Sequence, residues 1–157
     1  MPFLFCMSVL EYVYKEVERM EKHIYQTYVQ VLKEELVPAM GCTEPIALAY
    51  CASKCFDTLQ DEVQSVDIFV SGNIVKNVKS VIVPNTGGLK GIEASVAAGI
   101  VAGDSTKVLE VISIVTNLQK EEMRHFLDSI SMNVKAIERD CALDICVHLP
   151  GIYHNAK

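Results

Sequence analysis

No uninterrupted apolar run in the 157-residue sequence approaches the roughly 20 residues that a membrane-spanning helix requires. No membrane partner is therefore expected. Basic blocks are missing as well. Lysine and arginine number 14 against 20 aspartate and glutamate, a net charge of −6. An acidic chain without a basic patch is a poor binder of a phosphate backbone, so no nucleic-acid partner is expected either. The six cysteines are too few for a disulfide scaffold. A secretory signal is not evident, because no Lys or Arg precedes the apolar opening MPFLFCMSVL and Glu11 follows it at once. A cytoplasmic location is the expectation, with the cysteines present as thiols or metal ligands. The four histidines, at 23, 125, 148 and 154, are dispersed and give no Ser-His-Asp or Cys-His arrangement. Internal repeats and low-complexity segments are also absent.

What is present suffices for a core: 50% of the chain is hydrophobic and 22% charged, at the length of one domain. Tyr25, Tyr28, Val29, Leu32 and Leu36 recur at helical spacing and predict an amphipathic helix ending near Pro38. A second helix is predicted from about Pro45 to Leu59, with Pro45 in the first turn, where its missing N–H has no partner to lose. That helix is apolar on most sides and should be buried. Val66–Val70 and Val78–Val83 are β-branched and read as strands, separated by the polar segment Ser71–Asn77. Pro84–Gly91 is a glycine-rich loop. Gly91, Ala94, Ser95, Ala97, Ala98, Gly99 and Ala102 mark a small-residue helix that another backbone can approach closely. Residues 106–115 and Lys120–Ile130 read as helices, and Val134–Ile137 and Leu143–Leu149 as two more strands. The layout predicts an α+β fold: N-terminal helices packed with a small sheet of about four strands, and further helices between the strand pairs. Residues 1–24 form an N-terminal extension or first helix, and 25–157 the main region. Met20, followed by Glu21 and Lys22, is an alternative start.

Three segments carry residue types suited to chemistry. Cys42 lies in a Gly-Cys-Thr turn just before a helix. Free N–H groups and the positive end of that helix would stabilise a thiolate, the form that ligates iron. The plain alternative is a small core residue. Asn73, Lys76 and Asn77 lie between two apolar strands. Lys76 could pair with an anionic substrate or act as a base, and the alternative is a solvated connection. The loop Pro84–Gly91 could hold a carboxylate or phosphate on its N–H groups, or simply turn the chain. It lacks the Gly-Lys-Ser/Thr ending of a P-loop. Cys51 and Cys55, four apart on a buried helix, have no second ligand pair at zinc spacing and read as buried thiols. Cys141 and Cys146 would face opposite sides of one strand, which does not suit a shared metal.

The segment Leu36-Val37-Pro38-Ala39-Met40-Gly41-Cys42-Thr43-Glu44-Pro45-Ile46-Ala47 is similar to the opening motif of the L-cysteine desulfidase family. That family is related to the α chain of iron–sulfur L-serine dehydratase. Val70–Asn77 and Val83–Gly88 resemble its next two motifs, and the similarity runs from about Tyr25 to near residue 149. The resemblance implies an α,β-elimination from L-cysteine, giving sulfide, ammonia and pyruvate; L-serine undergoes the same elimination. It implies a 4Fe–4S cluster held by three cysteines, with the fourth iron open to act on substrate as a Lewis acid. Cys42 matches the first cluster ligand. Asn73, Asn77, Asn85, Thr86 and Gly87 are the substrate-binding candidates, and Lys76 the candidate base. The other two ligands belong to a C-terminal region beyond the end of this sequence, and Cys141 and Cys146 do not match them.

The expectation is therefore an N-terminal part of such a lyase, inactive without that region or a second chain bringing the missing ligands. No cluster is expected to stay on this chain alone. Self-association is expected through exposed faces of helices 45–59 and 91–102. The competing expectation is a non-catalytic remnant, a module that binds a protein partner or a small carboxylate. A third reading is a thiol-redox or zinc protein using Cys51 and Cys55.

Overall fold

In the computed structural model, which describes residues 21–59, 61–139 and 141–151, the chain forms two units divided after Val37. The first carries helix α1 (Lys22–Glu35), which stops as Leu36 turns extended ahead of Pro38. No residue of α1 is buried, and its apolar stripe through Ile24, Tyr28, Val31 and Leu32 is exposed. The extension before Met20 lies outside the described residues.

The second unit runs α2 (Thr43–Leu59), β1 (Ser65–Ser71), α3 (Gly72–Val78), α4 (Gly91–Ala102), a 3-10 helix (Ser105–Glu110), α5 (Asn117–Ser129), β2 (Ser131–Ile137) and β3 (Ile145–His148). β1 is the middle strand of a mixed three-stranded sheet, parallel to β2 and antiparallel to β3. Parallel neighbours need a long crossover, and α3, α4 and α5 supply it. Ile68 pairs with Val134 on one side and Val147 on the other. Strand alternation places Val66, Ile68 and Val70 on one fully buried face, while Asp67 and Phe69 point the other way and are only partly covered.

The fold is α+β. One core cluster joins the inner sheet face to Leu48 and Ala52 of α2, Ile74 and Val78 of α3, and Ile92, Val96 and Ile100 of α4. A second joins Ile46 and Ala49 of α2 and Ala94 and Ala98 of α4 to Val83, Val111, Ile112 and Met123. Nine of the 12 residues of α4 are buried, so this helix is the centre of the unit. Its small side chains let α2 come into backbone contact: a Cβ on Gly99 would stand 2.8 Å from the Ala49 carbonyl carbon. The apolar faces of these two helices therefore cover each other. Among the described residues no helix is long and apolar enough to cross a membrane.

Four features differ from the sequence expectation. The strand expected over Val78–Val83 is replaced by the end of α3, a turn, and one isolated bridge between Ile82 and Lys90. Among the described residues the sheet accordingly has three strands rather than four. Ile74 and Val78, four apart, are the buried side of a short helix whose outer side is Asn73, Lys76 and Asn77. That pattern outweighs the β-branched composition. Residues 106–115 give only the 3-10 helix, broken at Val108 by a φ of 49° and capped by Asp104, which accepts from the Thr106 N–H at 3.1 Å. Cys141 precedes β3, so it does not share a strand with Cys146. The helix expected from Lys120 starts earlier, at Asn117, because Thr116 and Gln119 form a reciprocal capping box.

Candidate functional site

The three segments singled out in the sequence meet at the N-terminus of α2. Gly41 has a φ of 143°, and a Cβ there would press to 3.3 Å from Pro84 Cγ. The Cys42 turn thus rests directly on the start of the glycine loop, and glycine is needed at its base for both reasons. Cys42 is exposed, and its thiol donates to Glu44 Oε2 at 3.1 Å. The other oxygen, Oε1, accepts from Asn77 Nδ2 of α3 at 3.2 Å. One carboxylate in the first turn of α2 therefore ties the cysteine turn to the polar side of α3.

Beside this network lies a cleft of about 280 Å³ lined by Thr43, Glu44, Asn73, Ile74, Asn77, Ala142 and Leu143. Asn73 also lines a wider cleft of about 650 Å³ that includes Ser71, Ile137, Arg139 and Cys141. This second cleft sits where the parallel strands β1 and β2 end, the usual place for ligands on such strands. Arg139 is held at its mouth by Asp144, 3.1 Å away. Asp144 is itself fixed to the end of β1, its carbonyl accepting from the Ser71 N–H at 3.0 Å.

The electrostatics differ from the sequence expectation. The hydrogen bond to Glu44 pushes the Cys42 thiol above its usual range, and partial burial and the charge of Glu44 act in the same direction. The N–H groups of Glu44 and Thr43 pull it down, as a helix N-terminus should, but they are outweighed. Glu44 is held below the usual carboxylate range by the Cys42 thiol first, then by its own N–H and the Asn77 amide. Glu44 thus opposes the thiolate that the helix end would favour. Since only the thiolate is alkylated, Glu44→Gln should make Cys42 react faster with iodoacetamide at pH 7.5, at a rate approaching that of free cysteine. Peptide mass spectrometry separates Cys42 from the other thiols, and an unchanged or slower rate would contradict this assignment.

The other candidates occupy different positions. Lys76 is exposed on α3 and does not line the smaller cleft. Asn85, at a φ of 59°, donates from Nδ2 to the carbonyls of Ile112 at 2.9 Å and Ser113 at 3.2 Å. Thr86 is fully buried; its hydroxyl donates to Val83 O at 2.8 Å and accepts from the Leu89 N–H at 3.1 Å. Gly87 is exposed at a φ of 72°, next to Arg124. These side chains shape the loop that supports Gly41. The structure brings Cys42, Asn73 and Asn77 to one place and leaves Lys76 and Gly87 outside it. Glu44 is the residue that sequence reasoning passed over. A carboxylate in a first helical turn reads as a cap, and its position two residues after Cys42 was the available signal.

Cys51 and Cys55 are partly buried, and burial pushes both thiols up. Cys55 donates to Val147 O at 3.4 Å. Cys42, Cys51, Cys55, Cys141 and Cys146 are free thiols. Among the described residues no group of three or more His, Cys, Asp or Glu side chains is placed to hold a metal.

No protein-family model matches the chain, and no solved structure matches it. Among curated proteins the chain is 52% identical over 130 residues to a UPF0597 protein of Desulfitobacterium hafniense, covering 83% of this chain and 30% of the relative. It is 53% identical over 126 residues to a UPF0597 protein of Fusobacterium nucleatum, covering 80% and 30%. A UPF0597 protein of Treponema denticola is 45% identical over 129 residues, covering 80% and 29%. The chain thus spans about 30% of the length of these relatives.

Proposed function

We propose that this chain is the N-terminal part of a cytoplasmic iron–sulfur-dependent lyase of the L-cysteine desulfidase kind, acting on L-cysteine or L-serine. The observation that carries the reading is the convergence of its three motif segments. Gly41 abuts Pro84, and Glu44 joins Cys42 to Asn77 beside a small cleft. Segments dispersed over 50 residues of sequence would have no reason to meet at an exposed thiol if each were only a turn.

A 4Fe–4S cluster needs three cysteine ligands in one place, and the described residues offer Cys42 without two neighbours. The cluster does not fit this chain alone. The remaining ligands belong, on this proposal, to a C-terminal region or a second chain, which the greater length of the relatives leaves room for. This chain's own contribution is to present Cys42, with its proton held by Glu44, and to form the cleft in which Asn73 and Asn77 bind substrate.

The test is anaerobic co-expression with the C-terminal two-thirds of a UPF0597 relative. Sulfide release from L-cysteine is expected from the pair and not from the chain alone. Sulfide from the isolated chain, a stoichiometric cluster absorbing near 400 nm on it, or an inactive pair that holds a cluster would each overturn the proposal.

A further inference from the structure

Among the described side chains lining the 280 Å³ cleft, Glu44 alone is charged. Thr43, Asn73 and Asn77 give it polar lining, and Ile74, Ala142 and Leu143 apolar lining. The two oxygens of Glu44 accept one hydrogen bond each, from Cys42 and Asn77. A carboxylate has about four lone-pair sites, so acceptor capacity remains for a ligand. A purely anionic ligand would meet this carboxylate at close range and be repelled. A primary ammonium brings three N–H donors and the opposite charge, and such charge-assisted bonds are about twice as strong as neutral ones. Asn73 lies one turn before Asn77 on α3 and lines both this cleft and the wider one. Its amide offers a donor for a carboxylate at the junction of the two.

We propose that Glu44 is the specificity residue that reads the α-ammonium group of a small amino acid, with the carboxylate toward Asn73 and a short side chain over Ile74 and Leu143. This rests on the reading that the cleft takes an amino acid, but it needs neither iron nor the C-terminal region. The consequence is discrimination: an amino acid enters, and the corresponding acid without its amine does not.

The experiment is a calorimetric or NMR titration of the full chain under reductant with three probes. L-Cysteine carries both charges, cysteamine lacks the carboxylate, and 3-mercaptopropionate lacks the amine. Glu44→Gln keeps the shape and the hydrogen bond from Asn77 and removes the charge. It should weaken L-cysteine and cysteamine about tenfold or more, the scale of one charged hydrogen bond, and leave 3-mercaptopropionate unchanged or tighter. Asn73→Ala should weaken L-cysteine and 3-mercaptopropionate and spare cysteamine. Glu44→Asp, which keeps the charge, should keep the preference for amines. Equal weakening of all three probes by Glu44→Gln, no weakening at all, or a parent chain that binds neither amine would overturn the inference. If the co-expressed pair releases no sulfide while this pattern holds, ammonium recognition stands and the lyase reading falls. If sulfide is released and Glu44→Gln leaves the KM for L-cysteine unmoved, the reverse is true.

Discussion

Replacing Gly99 by alanine should destabilise the second unit by about 3 kcal/mol or more, the upper end of what overpacking a core costs. The added Cβ would stand 2.8 Å from the carbonyl carbon and 2.9 Å from the Cα of Ala49, and closer still to its oxygen. All three atoms belong to the backbone of α2, so no side chain can rotate away and the helix pair must separate. The helix-propensity gain of alanine over glycine, about 1 kcal/mol, works against the loss without cancelling it. In a domain of this size the net change should lower the melting temperature by roughly 10 °C. Thermal unfolding followed by circular dichroism measures it. Gly72→Ala is the control, because nothing lies within 4 Å of its Cβ position. It should be neutral or slightly stabilising, so a similar loss in both variants would mean that the tight approach at Gly99 is not the cause. The consequence reaches the site, since α2 carries both Cys42 and Glu44, at or beside its first turn.

The small-residue helix and its need for a close neighbour were legible from Gly91, Ala94, Ala98 and Gly99 alone, because small side chains at those spacings have few other uses. Which helix would fill the space was not legible, and α2 proved to be the neighbour. β1 was legible from its run of alternating and β-branched residues. α3 was not, because seven residues give barely two helical turns, too few for periodicity to outweigh a β-branched composition. Only the tertiary burial of Ile74 and Val78 decides it. Cys42 as an exposed cysteine before a helix was legible, but the upward push that Glu44 gives its thiol was not. The effect of a helix end can be read from sequence, whereas a hydrogen bond from the thiol to Glu44 depends on rotamers that sequence does not display. Asn73 and Asn77 reach the cleft because they lie four apart on one side of α3. Asn85 and Thr86, in the next motif, turn away from it: Asn85 to the carbonyls of Ile112 and Ser113, and Thr86 to the backbone of Val83 and Leu89.

Thr86→Val should cost about 2–4 kcal/mol, since the hydroxyl makes two hydrogen bonds at a site with no exposure, and each group left unpartnered there costs roughly 1–3 kcal/mol. Valine fills the same volume, so the loss comes from the Val83 carbonyl and the Leu89 N–H rather than from a cavity. These bonds hold the loop whose first residue, Pro84, supports Gly41. Loosening it should free the Cys42 thiol from Glu44 and raise its alkylation rate. Thr86→Ser keeps both bonds and should stay close to the parent in stability and alkylation. The two variants separate two roles for this residue. If Thr86 positions the site through the loop, valine lowers the unfolding midpoint in urea and changes the reactivity of Cys42 together, while serine does neither. If its hydroxyl instead contacts substrate, valine would weaken L-cysteine binding in a chain of undiminished stability. The buried hydroxyl and its two backbone partners favour the first outcome. On that view the glycine loop serves the site by fixing the angle at which α2 presents its cysteine.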